Sequence, residues 1–364
     1  MRWIDGCLFS KAFVSPFLGS CRIIYALKTI TLQKPGRFVL AQTDPPDVVN
    51  DGQALVRVHR VGICGTDLHA FRGRQPFVQY PRILGHELAV EVLQVAANDR
   101  GIQSADRCAV EPYLNCGRCI ACVRGRPNCC VHLQLLGVHV DGGMREMIVV
   151  PIHKLHRSAR LTMDQLALVE TLGIGAHAVA RGQPQAGEWT LVLGAGPIGL
   201  GVILFAQLQG ANVIVSDIRE DRLAFCRQHL SVQWCVDARG DVFEQLHALV
   251  GDQLPTIVFD VTGNRQSMIR CFDYVAHSGR LVLVGLVQGD ISFNDKDLHR
   301  RELAVLATRN STSNDFVRIL RLMEEGRIDI TPWVTDRVPM DAMIEHFPRW
   351  LDPGSGVIKA MVDL

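Results

Sequence analysis

From Trp189 to Ser216 the chain carries no charged side chain, and only then does it reach Asp217. A stretch this apolar must be buried, in a membrane or inside a layered fold. Its glycines decide between the two. WTLVLGAGPIGLGVILFAQLQGANVIVS reads as a short strand, a glycine turn, a helix and a second strand, each apolar enough for a parallel sheet covered on both faces. The turn, Gly194-Ala195-Gly196-Pro197-Ile198-Gly199, has G-x-G-x-x-G spacing. Gly194 permits the tight turn, Gly196 lets a pyrophosphate approach the backbone, and Gly199 lets the helix pack on the strand, while the helix N-terminus attracts phosphate charge. Asp217 ends the second strand, where a carboxylate accepts both ribose hydroxyls and repels a 2′-phosphate. The stretch predicts a dinucleotide site that prefers NAD to NADP; Arg219 and Arg222 close behind would attract a 2′-phosphate and keep NADP as the alternative, and Arg222 is expected to touch the cofactor.

Two later segments continue the alternation. PTIVFDVTGN (255–264) and GRLVLVGL (279–286) are apolar strands that end near Thr262 and at Val284 and Gly285. In an open parallel sheet the ligand binds at the carboxyl edge, so these three residues should border the nicotinamide half.

At 364 residues the chain is long enough for two domains. Basic and acidic residues number 38 and 37 and are spread evenly, which gives no electrostatic footprint for nucleic acid or an anionic membrane. The expected partner is a small molecule. Residues 1–26 lack the order of a signal peptide, because Asp5 and Lys11 interrupt and Pro16 splits the apolar part. They are expected to lie outside the fold, which should begin at Leu27 with KTITLQKPGRFVLAQ, strands joined by a Pro-Gly turn. Of 12 cysteines, four fall in one cluster, a usage that fits a reducing cytoplasm better than a secreted disulfide scaffold.

That cluster is Cys116, Cys119, Cys122 and Cys130, in CGRCIACVRGRPNCC. The C-x2-C-x2-C-x7-C spacing suits one tetrahedral zinc with all four positions closed by sulfur, hence a structural site with no place for water. Cys129 is read as the non-ligand. A second ligand set lies upstream, where RVGICGTDLH (60–69) and PRILGHELAVEV (81–92) supply Cys64, His86 and Glu87, joined by Glu170 in ALVETLGIGAHA. Thiolate, imidazole and carboxylate suit a catalytic zinc that keeps one position for a substrate oxygen.

Taken in order, Cys64-Gly65-Thr66-Asp67-Leu68-His69, Gly85-His86-Glu87, the four-cysteine lobe and Gly194 to Gly199 resemble the zinc-containing medium-chain alcohol dehydrogenases, and more narrowly their sorbitol dehydrogenase-like polyol and sugar-acid branch. The resemblance covers residues 27–364. It implies an α/β chain: a mostly β GroES-like zinc domain from 27–175 and 305–364, and a doubly wound Rossmann domain from 176–304. It implies two zinc ions and NAD, with Cys64 and His86 as catalytic-zinc ligands and Glu170 or Glu87 as the carboxylate. Thr66 would bond the substrate oxygen, His69 would pass the proton toward solvent, and Asp67 would orient a ligand histidine. A homodimer or homotetramer is implied as well.

The reaction so implied moves a hydride from a carbinol carbon to the nicotinamide while Thr66 and His69 take the proton. GVHVDGGMREMIVVP (137–151) and LATRNSTSNDF (306–316) would flank the cleft and carry His139, Arg309 and Asn310. A cation beside a polyhydroxylated substrate points to an aldonate or hexonate oxidised at a secondary carbon, and the alternative role for Arg309 is to pair with the cofactor phosphates or an acidic neighbour. Neutral polyols and L-threonine are the alternatives among enzymes, and a nucleotide- or metal-binding sensor is the alternative outside them.

Overall fold

The structure, a computed structural model, describes residues 26–46 and 49–364. The expectation for residues 1–26 therefore lies, except for its last residue, outside the described residues. The uncharged stretch resolves into strand Trp189–Leu193, helix Pro197–Leu208 and strand Asn212–Asp217. Among the described residues no helix is long and apolar enough to cross a membrane.

Strand Trp189–Leu193 lies inside a six-stranded sheet. The spatial order is Trp234–Asp237, Asn212–Asp217, Trp189–Leu193, Ile257–Asp260, Arg280–Leu283 and Ala304–Ala307, and every neighbouring pair is parallel. This is the doubly wound order 3-2-1-4-5-6, whose direction of winding reverses between Trp189–Leu193 and Ile257–Asp260. Both faces are covered. Leu191, Ile214, Val258 and Leu281 pack into one apolar layer, while Val192, Val215, Phe259 and Val282 pack into the other, as period-two side chains must. Burying each such side chain stabilises by roughly 1.5–3 kcal/mol before entropy is set against it.

The second unit is a seven-stranded sheet. Its path runs Val334–Pro339, Lys359–Asp363, Gln53–Gly62, Glu87–Val95, Arg107–Val110 and Leu155–Arg157, with Met147–Pro151 also pairing on Gln53–Gly62. All pairs are antiparallel except the first, which is parallel. The chain thus leaves this sheet, builds the parallel one and returns to place its last strand beside Gln53–Gly62. Helix Val169–Gly182 connects the two units and packs on Pro197–Leu208 so closely that a Cβ on Gly175 would stand 2.6 Å from the Gly201 carbonyl carbon. The expected junctions at 175/176 and 304/305 both fall inside elements, the helix Val169–Gly182 and the strand Ala304–Ala307.

Candidate metal centre and dinucleotide crevice

Cys64 caps the helix Gly65–Phe71, and its amide donates to Asp67 Oδ2 at 2.9 Å, which fixes the turn that presents the thiol. His86 and Glu87 stand at the start of strand Glu87–Val95, where Glu87 pairs in register with Gly62. A Cβ on Gly62 would lie 2.1 Å from Glu87 Oε2, so glycine is what makes room for the carboxylate. One ligand atom from each of Cys64, His86 and Glu87 falls within 4.8 Å of the others. Glu87 is also held by Lys359, whose Nζ donates to Oε1 at 2.6 Å and to Oε2 at 2.8 Å.

Glu170 enters from the first turn of Val169–Gly182 and lies outside that set of three; its Oε1 accepts a hydrogen bond from the Tyr113 hydroxyl. Both residues are buried. Burial pushes the Glu170 carboxyl above its usual range, and nearby Glu87 adds to the rise against the pull of His86. Burial alone would lower the imidazole of His86, yet Cys64, Asp67 and Glu170 reverse this and hold it well above its ordinary value. The centre thus carries an excess of anionic groups in a dry place. Asp67 Oδ1 and His86 Nδ1 are buried without hydrogen-bond partners. They stand 3.9 Å apart, an ion-pair separation longer than a hydrogen bond, while the other Asp67 oxygen, Oδ2, accepts the Cys64 amide. Orphaned buried atoms, a thiol, an imidazole and two carboxylates fit a divalent cation of zinc type.

Thr66 and His69 lie one turn apart on Gly65–Phe71, on one side of the helix that Cys64 caps. His69 is exposed, and burial of part of its ring together with Arg72 and Arg74 holds its pKa below the usual value. It is therefore neutral, and able to accept a proton, near neutral pH.

The four-cysteine lobe is assembled. Sγ atoms of Cys116, Cys119, Cys122 and Cys130 lie within 4.8 Å of one another, with Cys119 to Cys122 at 3.6 Å and Cys119 to Cys130 at 3.8 Å. A tetrahedron with zinc–sulfur bonds of about 2.3 Å has sulfur–sulfur edges of about 3.8 Å. The amides of Cys122 and Val131 hold the Cys119 thiol down to about 6, the thiolate state a metal needs. Cys129 is exposed and outside the cluster.

In the parallel sheet, Gly194 adopts φ +97°, and a Cβ on Gly199 would fall 1.9 Å from the Gly194 carbonyl oxygen. Nothing lies within 4 Å of a Cβ on Gly196, which leaves open space at the mouth of helix Pro197–Leu208. Ala195 contributes its amide to Asp217 Oδ2 at 2.7 Å, tying the strand-end carboxylate to the turn. Thr262 packs on the same turn and donates its hydroxyl to Asp260 at 2.7 Å, while the amides of Val284 and Gly285 donate to the Asp260 carbonyl at 2.9 and 3.1 Å. Pro197 and Ile198 open the helix. These residues line the carboxyl edge where the winding reverses, and they fit a dinucleotide. Arg222 lies deeper: its Nη2 donates to the Val357 carbonyl at 2.5 Å and its buried Nη1 has no partner.

Burial lowers the His139 pKa, and the charges of Arg309 and Arg82 add to the fall. Arg309 is exposed, and His139 accepts the Leu135 amide on Nδ1 at 3.2 Å.

Three contributors escaped the sequence. Lys359 had a signal, a single cation inside the apolar run GVIKAMV, which only a buried anion could satisfy. Tyr113 and Asn128 had none, because their partners lie far along the chain.

Residues 50–160 match the family Alcohol dehydrogenase GroES-like domain, and residues 197–325 match the family Zinc-binding dehydrogenase. L-galactonate-5-dehydrogenase of Escherichia coli (strain K12) is 36% identical over 336 residues, covering 92% of this chain and 98% of that protein. Sorbitol dehydrogenase of Bacillus subtilis (strain 168) is 30% identical over 338 residues, covering 90% of this chain and 94% of that protein. Among solved structures, the alcohol dehydrogenase rspB of E. coli CFT073, complexed with NADH, superposes with a TM-score of 0.86 at 27% identity, covering 93% of this chain and 99% of that one. This chain belongs to the zinc-binding alcohol dehydrogenase family.

Proposed function

We propose that this chain oxidises a secondary hydroxyl of a hexonate-type sugar acid to a ketone, with NAD as hydride acceptor and two zinc ions per chain. The reading is carried by one juxtaposition: a cation, Arg309, on the loop that follows the dinucleotide-binding sheet, two residues before Ser311, which packs against Gly173 one turn after Glu170. Similarity to an L-galactonate-5-dehydrogenase supports the same substrate class. Among the described residues no carboxylate pairs with the Arg309 guanidinium, which leaves it available to a substrate carboxylate.

Cys64 and His86, with Glu87 or Glu170, would hold the catalytic zinc, and Cys116, Cys119, Cys122 and Cys130 the structural one. When bound, the catalytic metal supplies Lewis acidity at the substrate oxygen, and the dinucleotide supplies the hydride acceptor. The protein's own residues do the rest. Thr66 bonds the reacting hydroxyl and relays its proton; His69, neutral near pH 7, accepts it at the solvent boundary. Lys359 holds Glu87 in place through both carboxylate oxygens, and the Tyr113 hydroxyl holds Glu170. Gly194, Gly196 and Gly199 admit the pyrophosphate, Asp217 releases the Ala195 amide to take the ribose hydroxyls, and Thr262, Val284 and Gly285 border the nicotinamide.

A neutral-polyol reading is the second choice, favoured by Glu170 where a cysteine would suit simple alcohols and by the similarity to sorbitol dehydrogenase. We place self-association at the edge strand Ala304–Ala307, whose Val305 is 42% exposed. Zinc analysis with NADH formation tests the enzyme reading. Two zincs per chain and aldonate-dependent NADH support it; one zinc and no turnover on any aldonate or polyol make the chain a binding module.

A further inference from the structure

We infer that Asn128, on the four-cysteine lobe, is a positioning residue for the substrate-binding loop. It holds the Arg309 backbone through a buried chain of hydrogen bonds that runs by way of His177 to Asp315. The inference rests on the reading of Arg309 as the partner of a substrate carboxylate.

Asn128 occupies the short turn Pro127–Cys129, just ahead of the ligand Cys130. Its Nδ2 lies 2.9 Å from the Arg309 carbonyl oxygen and 3.2 Å from His177 Nε2. His177 Nδ1 in turn lies 3.0 Å from Asp315 Oδ2. Asn128, His177 and Asp315 are only 2%, 6% and 7% exposed, so water does not compete for these groups.

The direction of every bond follows from one fact, that a carbonyl can only accept. Asn128 must present its NH2 to Arg309, its second N–H then requires a lone pair on His177 Nε2, and the imidazole proton is left on Nδ1 to donate to Asp315. Asp315 also accepts from the Thr312 amide and hydroxyl at 2.9 and 2.8 Å, which closes the far end of the loop. Between the two anchors Asn310 takes a left-handed φ of +52°, and Ser311 is buried against Gly173, one turn after Glu170 on the same helix. The loop that carries Arg309 is thus clamped at both ends, once from the lobe and once from the helix Ser313–Glu324. The lobe is more than a staple: it sets where the substrate cation stands.

Asn128→Asp keeps the size of the side chain and turns its donor into an acceptor facing a carbonyl, so it tests this arrangement in the full-length, zinc-loaded enzyme. With L-galactonate as substrate, KM should rise by about tenfold to a hundredfold while kcat and the Kd for NAD change little, the signature of a displaced binding group. Zinc should stay at two per chain. Arg309→Ala is measured beside it, and the double variant should be no worse than Arg309→Ala alone, because both changes remove the same contact. If Asn128→Asp does not fold, Asn128→Ala carries the same expectations. Arg309→Ala raising KM while the Asn128 variant leaves it unchanged overturns the inference alone. Additive effects, or a fall in zinc to one per chain, overturn it too, since the loss would then come from the lobe itself. A flat response to Arg309→Ala removes the carboxylate reading and the inference with it.

Discussion

Lys359 reaches Glu87 across 272 residues of sequence, with its Nζ 2.6 Å from one carboxylate oxygen and 2.8 Å from the other. The same ammonium donates to the Ile63 carbonyl at 3.2 Å, so the last strand of the chain is bound to the residues on either side of the metal centre. Both side chains are buried, at 2% and 1% exposure, which makes each the condition for the other.

Lys359→Met leaves an uncompensated carboxylate in that place. Breaking a buried pair from one side costs about 3–5 kcal/mol, which guanidinium unfolding would show as a lower midpoint. Adding Glu87→Gln to the same chain should recover part of the loss. An unchanged midpoint in the single variant contradicts a structural role for the pair.

Acid should find a second buried cluster. Burial pushes the Glu111 carboxyl up, but bonds from His156 and Lys154 and the Ser313 hydroxyl outweigh it and hold the group down to about 2 from 4.5. A depressed carboxylate adds stability that is fully present above its unfolded pKa and is lost as pH falls through the folded value. Here that window runs from about 4.5 to about 2, and the stake is about 3 kcal/mol. Glu111→Gln should therefore unfold more easily at pH 7 and show a flatter loss through the acid window than the parent. Parallel curves would contradict the assignment.

The glycine turn separates fold from binding. Gly199→Ala forces a Cβ to 1.9 Å from a carbonyl oxygen and should damage both stability and NAD affinity. Gly196→Ala meets nothing within 4 Å, so Tm should hold while calorimetric affinity for NAD falls at least about tenfold. A Gly196→Ala protein that binds NAD as the parent does would move the pyrophosphate elsewhere.

Cys119→Ser removes one of four sulfurs from the lobe. Zinc should drop to one per chain, and Tm or assembly should suffer before the chemistry does. Retained Tm and oligomeric state with lost turnover would mean that the two metal sites had been exchanged.

How far the sequence reached depended on distance along the chain. The cysteine lobe and the turn from Gly194 to Gly199 are local, so spacing alone exposes them, and Cys64 and His86 lie in neighbouring segments. Alternation of apolar runs and glycine turns exposed strands Trp189–Leu193, Asn212–Asp217, Ile257–Asp260 and Arg280–Leu283, but not their order in the sheet. The supports of the site did not, because Tyr113 meets Glu170 across 57 residues and His177 meets Asp315 across 138. Asp67 was read as the residue that orients a ligand histidine; its Oδ1 stands 3.9 Å from His86 Nδ1, and its second contact, Oδ2 to the Cys64 amide, is one that the reading did not include.

The substrate decides the function, and the direct measurement is kcat/KM with NAD for L-galactonate against sorbitol, in the parent enzyme and in Arg309→Ala. The predicted result is a preference for the aldonate that collapses by about tenfold or more in the variant, while any activity on sorbitol is little changed. Turnover of sorbitol alone, indifferent to Arg309→Ala, would contradict it.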